Sequence, residues 1–230
     1  MELGTVPNSD RLDVYSQMAL DEALLLFSPK ESLTLRFYSW LGPAATFGRH
    51  QSFQFIEQEL HHRGKAALPR ARRITGGGLV FHENDLTFSL IFPWTDFVSP
   101  SEIYRKLHHL IGHELAKEGV LLNLKPEPST FPGLEKICFS MPEKSDLMAS
   151  AGEKILGGAL CRKNKRGLYQ GSLQAPLASL PLSQIKRAIC RAAGLFGETK
   201  PNEKFDFIDP NQLRLLVAKY RSDEWLLRVP

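Results

Sequence analysis

The sequence predicts an α+β fold in which mixed, largely antiparallel sheets pack with helices. Two kinds of stretch lead there. Short apolar or alternating runs of strand length occur at residues 33–38, 44–47 and 86–92, while residues 15–26, 103–115 and 182–195 carry the wider spacing of helices. The two kinds are interspersed without the regular alternation that builds a parallel sheet.

Taken in order, residues 15–26 place Tyr15, Met18, Ala19, Leu25 and Leu26 on one face at 100° per residue, with Glu22 near its middle. A carboxylate on an apolar face is expensive unless paired, so Glu22 is expected to meet an arginine or backbone amides. Residues 33–38 alternate apolar and polar, as a half-buried strand does. Residues 44–47 form a second strand, ending at Gly48-Arg49-His50-Gln51. Arg73-Ile74 and Val80-Phe81 read as strand ends on either side of three glycines, and residues 86–92 read as a buried strand.

Ser99-Pro100-Ser101-Glu102 carries a serine N-cap, a proline at the first helical position and a glutamate at the third. The helix behind it buries Ile103, Leu107, Leu110, Ile111 and Leu115, and Gly119 ends it. Residues 126–132 read as a loop, and residues 138–159 as two strands joined through Ser150-Ala151-Gly152. Residues 182–195 form a helix, and Asp209-Pro210-Asn211-Gln212 caps a last one running to Lys219. No internal repeat, low-complexity tract or linker divides the chain, so residues 1–230 are expected to form a single domain.

The 230 residues are 43% hydrophobic, enough for one core without disulfide or metal staples. The formal charge of +4 favours acidic partners mildly. The basic runs at Arg63, Lys65, Arg70, Arg72 and Arg73, and at Arg162, Lys163, Lys165 and Arg166, have no interleaved aromatics, which argues against a nucleic-acid surface. Cys138, Cys161 and Cys190 are an odd number at irregular spacing, and none of the histidines pairs with them at zinc spacing. Neither a disulfide framework nor a metal site is expected. The apolar stretch at 19–27 is short and carries Asp21 and Glu22, so a soluble, cytoplasmic protein with no membrane span is expected.

The most informative stretch is Arg72-Arg73-Ile74-Thr75-Gly76-Gly77-Gly78-Leu79-Val80-Phe81-His82. Adjacent glycines let the backbone approach a ligand and present amide N–H groups. The arginines add planar forks suited to phosphate or carboxylate. A bare triple glycine is commonly just a turn, but its position between strand ends makes close ligand approach a reasonable expectation.

Six blocks, in order, resemble the lipoate-protein ligase and octanoyltransferase family, which shares its catalytic fold with biotin protein ligases. They are Met18-Ala19-Leu20-Asp21-Glu22-Ala23-Leu24, Phe47-Gly48-Arg49-His50-Gln51, the stretch from Arg72 to His82, Ser145-Asp146-Leu147, Lys154-Ile155-Leu156-Gly157-Gly158-Ala159 and Tyr169-Gln170-Gly171-Ser172-Leu173. Tyr220-Arg221-Ser222-Asp223-Glu224-Trp225 resembles the segment that closes the family's catalytic domain. The resemblance implies attachment of a lipoyl or octanoyl group to a lysine of apo lipoyl domains of 2-oxoacid dehydrogenases or of the glycine cleavage H protein. It also implies roles. Lys154 would sit at the acyl carbonyl and phosphate, and Arg73, Thr75, Gly76, Gly77 and Gly78 would line the mouth. Asp146 would contact the ligand near the adenylate. His82, Asp85, Gly157, Gly158, Ala159 and Gln170 complete the implied substrate and adenylate set. His82 could serve as a general base or simply support the glycine turn.

The chain departs from the family pattern at several places. Gln170 stands where the family commonly has histidine, and Gly158 where ligases often have serine. The compact spacing from His82 to Ser89 resembles the cysteine-dependent octanoyltransferases, whereas those enzymes often have arginine at the position of Gly78. Cys138-Phe139-Ser140-Met141-Pro142, followed by Asp146-Leu147, resembles the segment carrying their nucleophile. Two functions therefore stand. The first is a lipoate-protein ligase using ATP, Mg²⁺ and lipoate or octanoate, with activation resting on this domain or on a separate polypeptide. The second is transfer of octanoyl from acyl carrier protein through Cys138, with Lys154 favouring the thiolate. No counterpart of the biotin ligases' Gly-Arg-Gly-Arg loop is present.

Overall fold

The computed structural model describes residues 11–94, 99–126, 137–138, 140, 142–174, 180–196 and 207–228. Along the chain lie β1 (Arg11–Leu12), α1 (Val14–Phe27), β2 (Thr34–Trp40), β3 (Ala44–Phe47), α2 (Phe53–His62), β4 (Arg70–Arg72), β5 (Val80–His82) and β6 (Leu86–Pro93). There follow α3 (Pro100–Ala116), β7 (Asn123–Leu124), β8 (Leu147–Met148), β9 (Lys154–Lys163), β10 (Arg166–Leu173), α4 (Leu182–Phe196), α5 (Pro210–Arg221) and α6 (Asp223–Leu226).

Seven strands form one sheet in the order β1-β2-β6-β10-β9-β8-β7, antiparallel at every pairing except β1 with β2. A second sheet, ordered β4-β3-β5, pairs β3 parallel to β4 and antiparallel to β5. The fold is α+β with mostly antiparallel strands, as the sequence predicts. One face of the large sheet packs against α3 and α4 through Leu35, Phe88, Leu107, Ile111, Leu156 and Ile189. α1 packs against α5 and the small sheet through Met18, Tyr38, Ala71 and Tyr220.

The capping signals hold in detail. The Ser99 hydroxyl accepts from the Glu102 N–H, with Pro100 at the start of α3, and Asp209 accepts from the Asn211 N–H ahead of α5. Gly119 adopts φ 86°, a left-handed conformation suited to glycine after a helix end.

Four expectations change. α1 is buried on more than one face, because Gln17, Asp21, Glu22 and Leu24 are buried along with Met18, Ala19 and Leu25. Glu22 meets Lys219 of α5 at 2.6 Å rather than an arginine, and it is Asp21 that pairs with Arg36, at 2.7 Å. β2 is buried at its polar positions Thr34 and Arg36 too, since Arg36 reaches Asp21 and Gln17 of α1. Among the described residues of 138–159, Leu147–Met148 and the start of β9 are the two strands, joined through Ser150-Ala151-Gly152 as expected, but Cys138 lies in a turn ahead of them rather than in a strand. Most of the loop expected at 126–132 falls outside the described residues.

Candidate active site

A cavity of about 400 Å³, counting space open to solvent, lies where the two sheets and α1 meet. Its wall takes Met18 from α1, Tyr38 and Trp40 from β2, Gly157, Gly158 and Ala159 from β9, and Gln170, Gly171 and Ser172 from β10. Across from these are Arg73, Gly77, Val80 and His82, with Cys138 beside them.

The polar members of the wall turn their hydrogen bonds to one another. Thr46 Oγ1 accepts from Arg73 Nη1 at 2.8 Å and bonds His82 Nε2 at 2.8 Å, while His82 Nδ1 meets Asp85 Oδ2 at 2.8 Å. Thr87 and Ser172 donate to the same Asp85 oxygen at 2.8 and 2.7 Å. Burial pushes the Asp85 carboxyl up, but His82 and the two hydroxyls outweigh it and hold the group below its usual range. Apart from Asp85 Oδ1, which is buried without a hydrogen-bond partner, these polar atoms are engaged, and with Trp40 stacked on His82 at 4.1 Å the wall suits an alkyl chain.

At one side of the cavity Lys154 brings three groups together. Its ammonium donates to the Cys138 carbonyl oxygen at 2.9 Å, to Cys138 Sγ at 3.2 Å, and meets Asp146 Oδ2 at 2.8 Å. Only 7% of Lys154 is exposed. Burial alone would lower its pKa, but the Cys138 sulfur and the Asp146 carboxylate more than offset this and raise it, so the side chain is a held cation. Burial raises the Asp146 carboxyl, an effect that Lys154 and the Glu143 N–H oppose without cancelling. Gly157 makes the lysine's bend possible: a Cβ there would lie 2.3 Å from Lys154 Cε and 2.5 Å from Nζ. Cys138 is anchored by its own N–H, which donates to Leu79 O at 2.9 Å.

The glycine turn is built on close backbone approach. Gly77 takes φ 86°, and a Cβ on Gly48 would fall 1.9 Å from the Gly77 carbonyl oxygen. Arg73 holds the turn from within: Nη2 donates to Gly76 O at 2.9 Å and Gly78 O at 2.8 Å, and Nε to Thr75 Oγ1 at 3.3 Å. Burial lowers its pKa to about 10, which leaves it charged at neutral pH. Arg72 is likewise turned inward, donating to the carbonyls of Arg49, Gln51 and Leu226. Neither fork is directed at a ligand; both organise the turn.

The structure thus brings Arg73, Gly77, His82, Cys138, Gly157, Gly158, Ala159 and Gln170 to one cavity wall, with Lys154 on Cys138 and Asp146 on Lys154. Thr75, Gly76, Gly78 and Asp85 stand behind it as hydrogen-bond partners of wall residues. Gln170 accepts from Thr75 Oγ1 at 2.7 Å and donates to Asp21 at 2.7 Å, so it ties the turn to α1. At Gly158 a Cβ would meet the Tyr169 ring at 2.3 Å, the space a serine would need. Cys161 and Cys190 are half-buried and packed against core clusters, and burial pushes Cys161 up to about 12. Residues that sequence reasoning missed are Asp21, Arg36, Tyr104 and His108, whose roles depend on tertiary partners; only the carboxylates of α1 left a signal. Among the described residues, no group of three His, Cys, Asp or Glu side chains could hold a metal, and no helix is long and apolar enough to cross a membrane.

A cavity lined by a thiol and a side-chain-free turn, with a held ammonium on that thiol, can take an alkyl chain and set its carboxyl end beside a nucleophile. The chain belongs to the lipoyl protein ligase A/B catalytic domain family, whose model matches residues 13–199. It is 34% identical over 168 residues to the octanoyltransferase LipM of Oceanobacillus iheyensis, a match covering 70% of this chain and 60% of that protein's length. Its fold is similar to that of a lipoate-protein ligase A bound with ATP, at TM-score 0.76 and 21% identity over 99% of both chains. It is also similar to the bi-partite lipoate protein ligase of Thermoplasma acidophilum, solved with its E2 lipoyl domain, at TM-score 0.69 and 19% identity over 99% of this chain and 96% of that one.

Proposed function

We propose that the protein is a cysteine-dependent octanoyltransferase that moves an octanoyl group from acyl carrier protein to a lysine of an apo lipoyl domain through Cys138. One observation carries this reading: Cys138 lines the cavity, and its Sγ lies 3.2 Å from the Lys154 ammonium. The ammonium thus sits within hydrogen-bond distance of the sulfur that would carry the acyl group. The name of the O. iheyensis relative supports octanoyl transfer, and the E2 lipoyl domain of the archaeal structure supports the acceptor class.

The steps balance on these two side chains. The Cys138 thiolate attacks the carrier thioester carbonyl, the C–S bond to the carrier breaks, and the departing thiolate takes a proton from Lys154. An octanoyl thioester on Cys138 and a neutral Lys154 amine remain. The acceptor lysine, as a free amine, then attacks that carbonyl. Its surplus proton passes to Lys154, the amide forms, and the Cys138 thiolate and Lys154 ammonium are restored. Asp146 keeps the Lys154 nitrogen aimed at Cys138 through both halves.

The second reading is an ATP-dependent lipoate ligase with Mg²⁺, which the triple glycine favours. Against it, both arginines before the turn direct their donors to the chain's own carbonyls and hydroxyls rather than to a phosphate. Two reactions decide. Apo lipoyl domain is incubated either with octanoyl carrier protein and no ATP, or with lipoate or octanoate plus ATP and Mg²⁺, and the acceptor is weighed. The transferase modifies it in the first tube, forms an octanoyl-enzyme that maps to Cys138, and loses activity in Cys138→Ser. Lys154→Met slows it by roughly 10²–10⁴-fold. Modification in the second tube alone, undiminished in Cys138→Ser, makes the protein a ligase.

A further inference from the structure

His108 of α3 does not line the cavity, yet both of its ring nitrogens are engaged. Nδ1 lies 2.6 Å from the Ser145 carbonyl oxygen and Nε2 lies 2.6 Å from the Tyr169 hydroxyl. A carbonyl can only accept, so Nδ1 carries the proton and Nε2 accepts from Tyr169, which fixes the tautomer. Burial lowers the His108 pKa to about 4, so the ring bridges the two groups as a neutral imidazole.

The residue it grips is unusual. Ser145 has φ 70°, a conformation that a side-chain-bearing residue adopts at a cost, and its carbonyl points into the protein. Asp146 follows directly, and its Oδ2 accepts from the Glu143 N–H at 2.6 Å and meets Lys154 Nζ at 2.8 Å. One turn along α3 from His108, a Cβ on Gly112 would lie 3.2 Å from Leu147 Cδ2, so the helix lies against the same segment on both sides of Asp146. We propose that His108 is a positioning residue for the Lys154–Cys138 pair, clamping the left-handed Ser145 turn so that the Asp146 carboxylate stays on the Lys154 ammonium.

Removing the imidazole strands a buried carbonyl and a buried hydroxyl together. The Ser145 turn then relaxes towards a common backbone conformation, and Asp146 leaves Lys154. The inference rests on Lys154 and Cys138 being the working pair, and does not depend on which donor supplies the acyl group.

The test reads the thiol directly. The full chain is alkylated with iodoacetamide across a pH series and the rate at Cys138 is followed by peptide mass mapping, for His108→Leu, Asp146→Asn and the two combined. Titratable or charged groups that interact with Cys138 are Lys154 from β9, Tyr104 from α3, Tyr169 from β10 and Arg73 from the glycine turn, with Asp146 reaching it through Lys154, and the tyrosines stay neutral over the range used. Asp146→Asn should move the midpoint of the rate profile, His108→Leu should move it the same way, and the double variant should match Asp146→Asn alone. Tyr169→Phe, which leaves the Ser145 contact in place, should leave the profile where it was.

Three results overturn the proposal: shifts from the two single variants that add in the double, no shift in Asp146→Asn, or an unmoved profile in His108→Leu. If His108→Leu does not fold, His108→Asn supplies the second arm, because its amide can still donate to Ser145 from near the Nδ1 position. It should keep the original profile, and a shift as large as that of Asp146→Asn would equally overturn the proposal. Octanoyl transfer is assayed in parallel: failure with every donor defeats the functional reading, while the alkylation profiles still decide this one.

Discussion

A neutral imidazole sealed inside a protein makes stability depend on pH. His108 takes up its proton only near pH 4 when folded, against an ordinary value of 6.5. Between those values the unfolded chain binds a proton that the folded chain refuses, so unfolding gains ground as pH falls. The contribution is intact above pH 6.5 and declines towards pH 4, by roughly 3 kcal/mol across the window. Urea unfolding at a series of pH values should therefore give a steeper fall for the natural chain than for His108→Asn, which has no group titrating there. Equal slopes would mean that His108 is already charged when folded, and the bridge from Tyr169 to Ser145 could not exist as described. Lys154 illustrates the opposite case at the same scale. Its acidic neighbours overcome burial and keep it charged, so one small region holds a histidine that stays neutral and a lysine that stays cationic.

At the scale of elements, the site depends on two turns pressed together. The end of β3 at Gly48 lies so close to the Gly77 carbonyl that one methyl group cannot fit, and the obstacle is backbone rather than a movable side chain. Gly48→Ala should displace the glycine turn, destabilise the protein by about 1–3 kcal/mol, and reduce acyl transfer by more than that loss of stability explains. Urea unfolding and transfer rate on the same sample separate the two effects. β2, β3 and β6, the Ser99 and Asp209 caps and the glycine turn were legible in the sequence because periodicity, capping and φ preference are local properties, whereas β10 was not read as a strand and Arg73-Ile74, expected to end one, lies just beyond β4. The surroundings of α1 were not legible either. Its carboxylates signalled that partners must exist, but that Asp21 would take Arg36, Tyr38, Ser89 and Gln170 while Glu22 took Lys219 depends on contacts distant in sequence. For the same reason Lys154, Cys138 and Asp146 stood out by family resemblance, whereas His108, in a helix that also carries Arg105, Lys106, His109 and His113, gave no local sign. α2 was also passed over, although Ser52 caps it and its buried Ile56 and Leu60 stand four apart.

Across the whole molecule, the last described residues are tied through Arg72 to the segment beside the glycine turn. The Leu226 carbonyl accepts from Arg72 Nε at 3.0 Å and Nη2 at 2.8 Å, and the remaining guanidinium nitrogen holds the Arg49 and Gln51 carbonyls just beyond Gly48. Trp225, buried against Tyr220, donates from its indole nitrogen to the Arg72 carbonyl at 2.8 Å. α5 and α6 therefore do more than cover α1: they supply the acceptors and the packing that keep Arg72, and through it the turn beside Gly77, in place. Trp225→Ala removes a large buried side chain and leaves the Arg72 carbonyl without its donor, a loss of about 3–5 kcal/mol. Trp225→Phe keeps most of the volume and loses only the hydrogen bond, about 1 kcal/mol. If the coupling is as described, the alanine variant also loses transfer activity at temperatures where it remains folded, because the Gly48–Gly77 contact loosens with the tail. Unfolding midpoints set the working temperature, and initial rates below it supply the answer. Full activity in a folded but destabilised Trp225→Ala protein would show that the C-terminal helices stabilise the core without reaching the site.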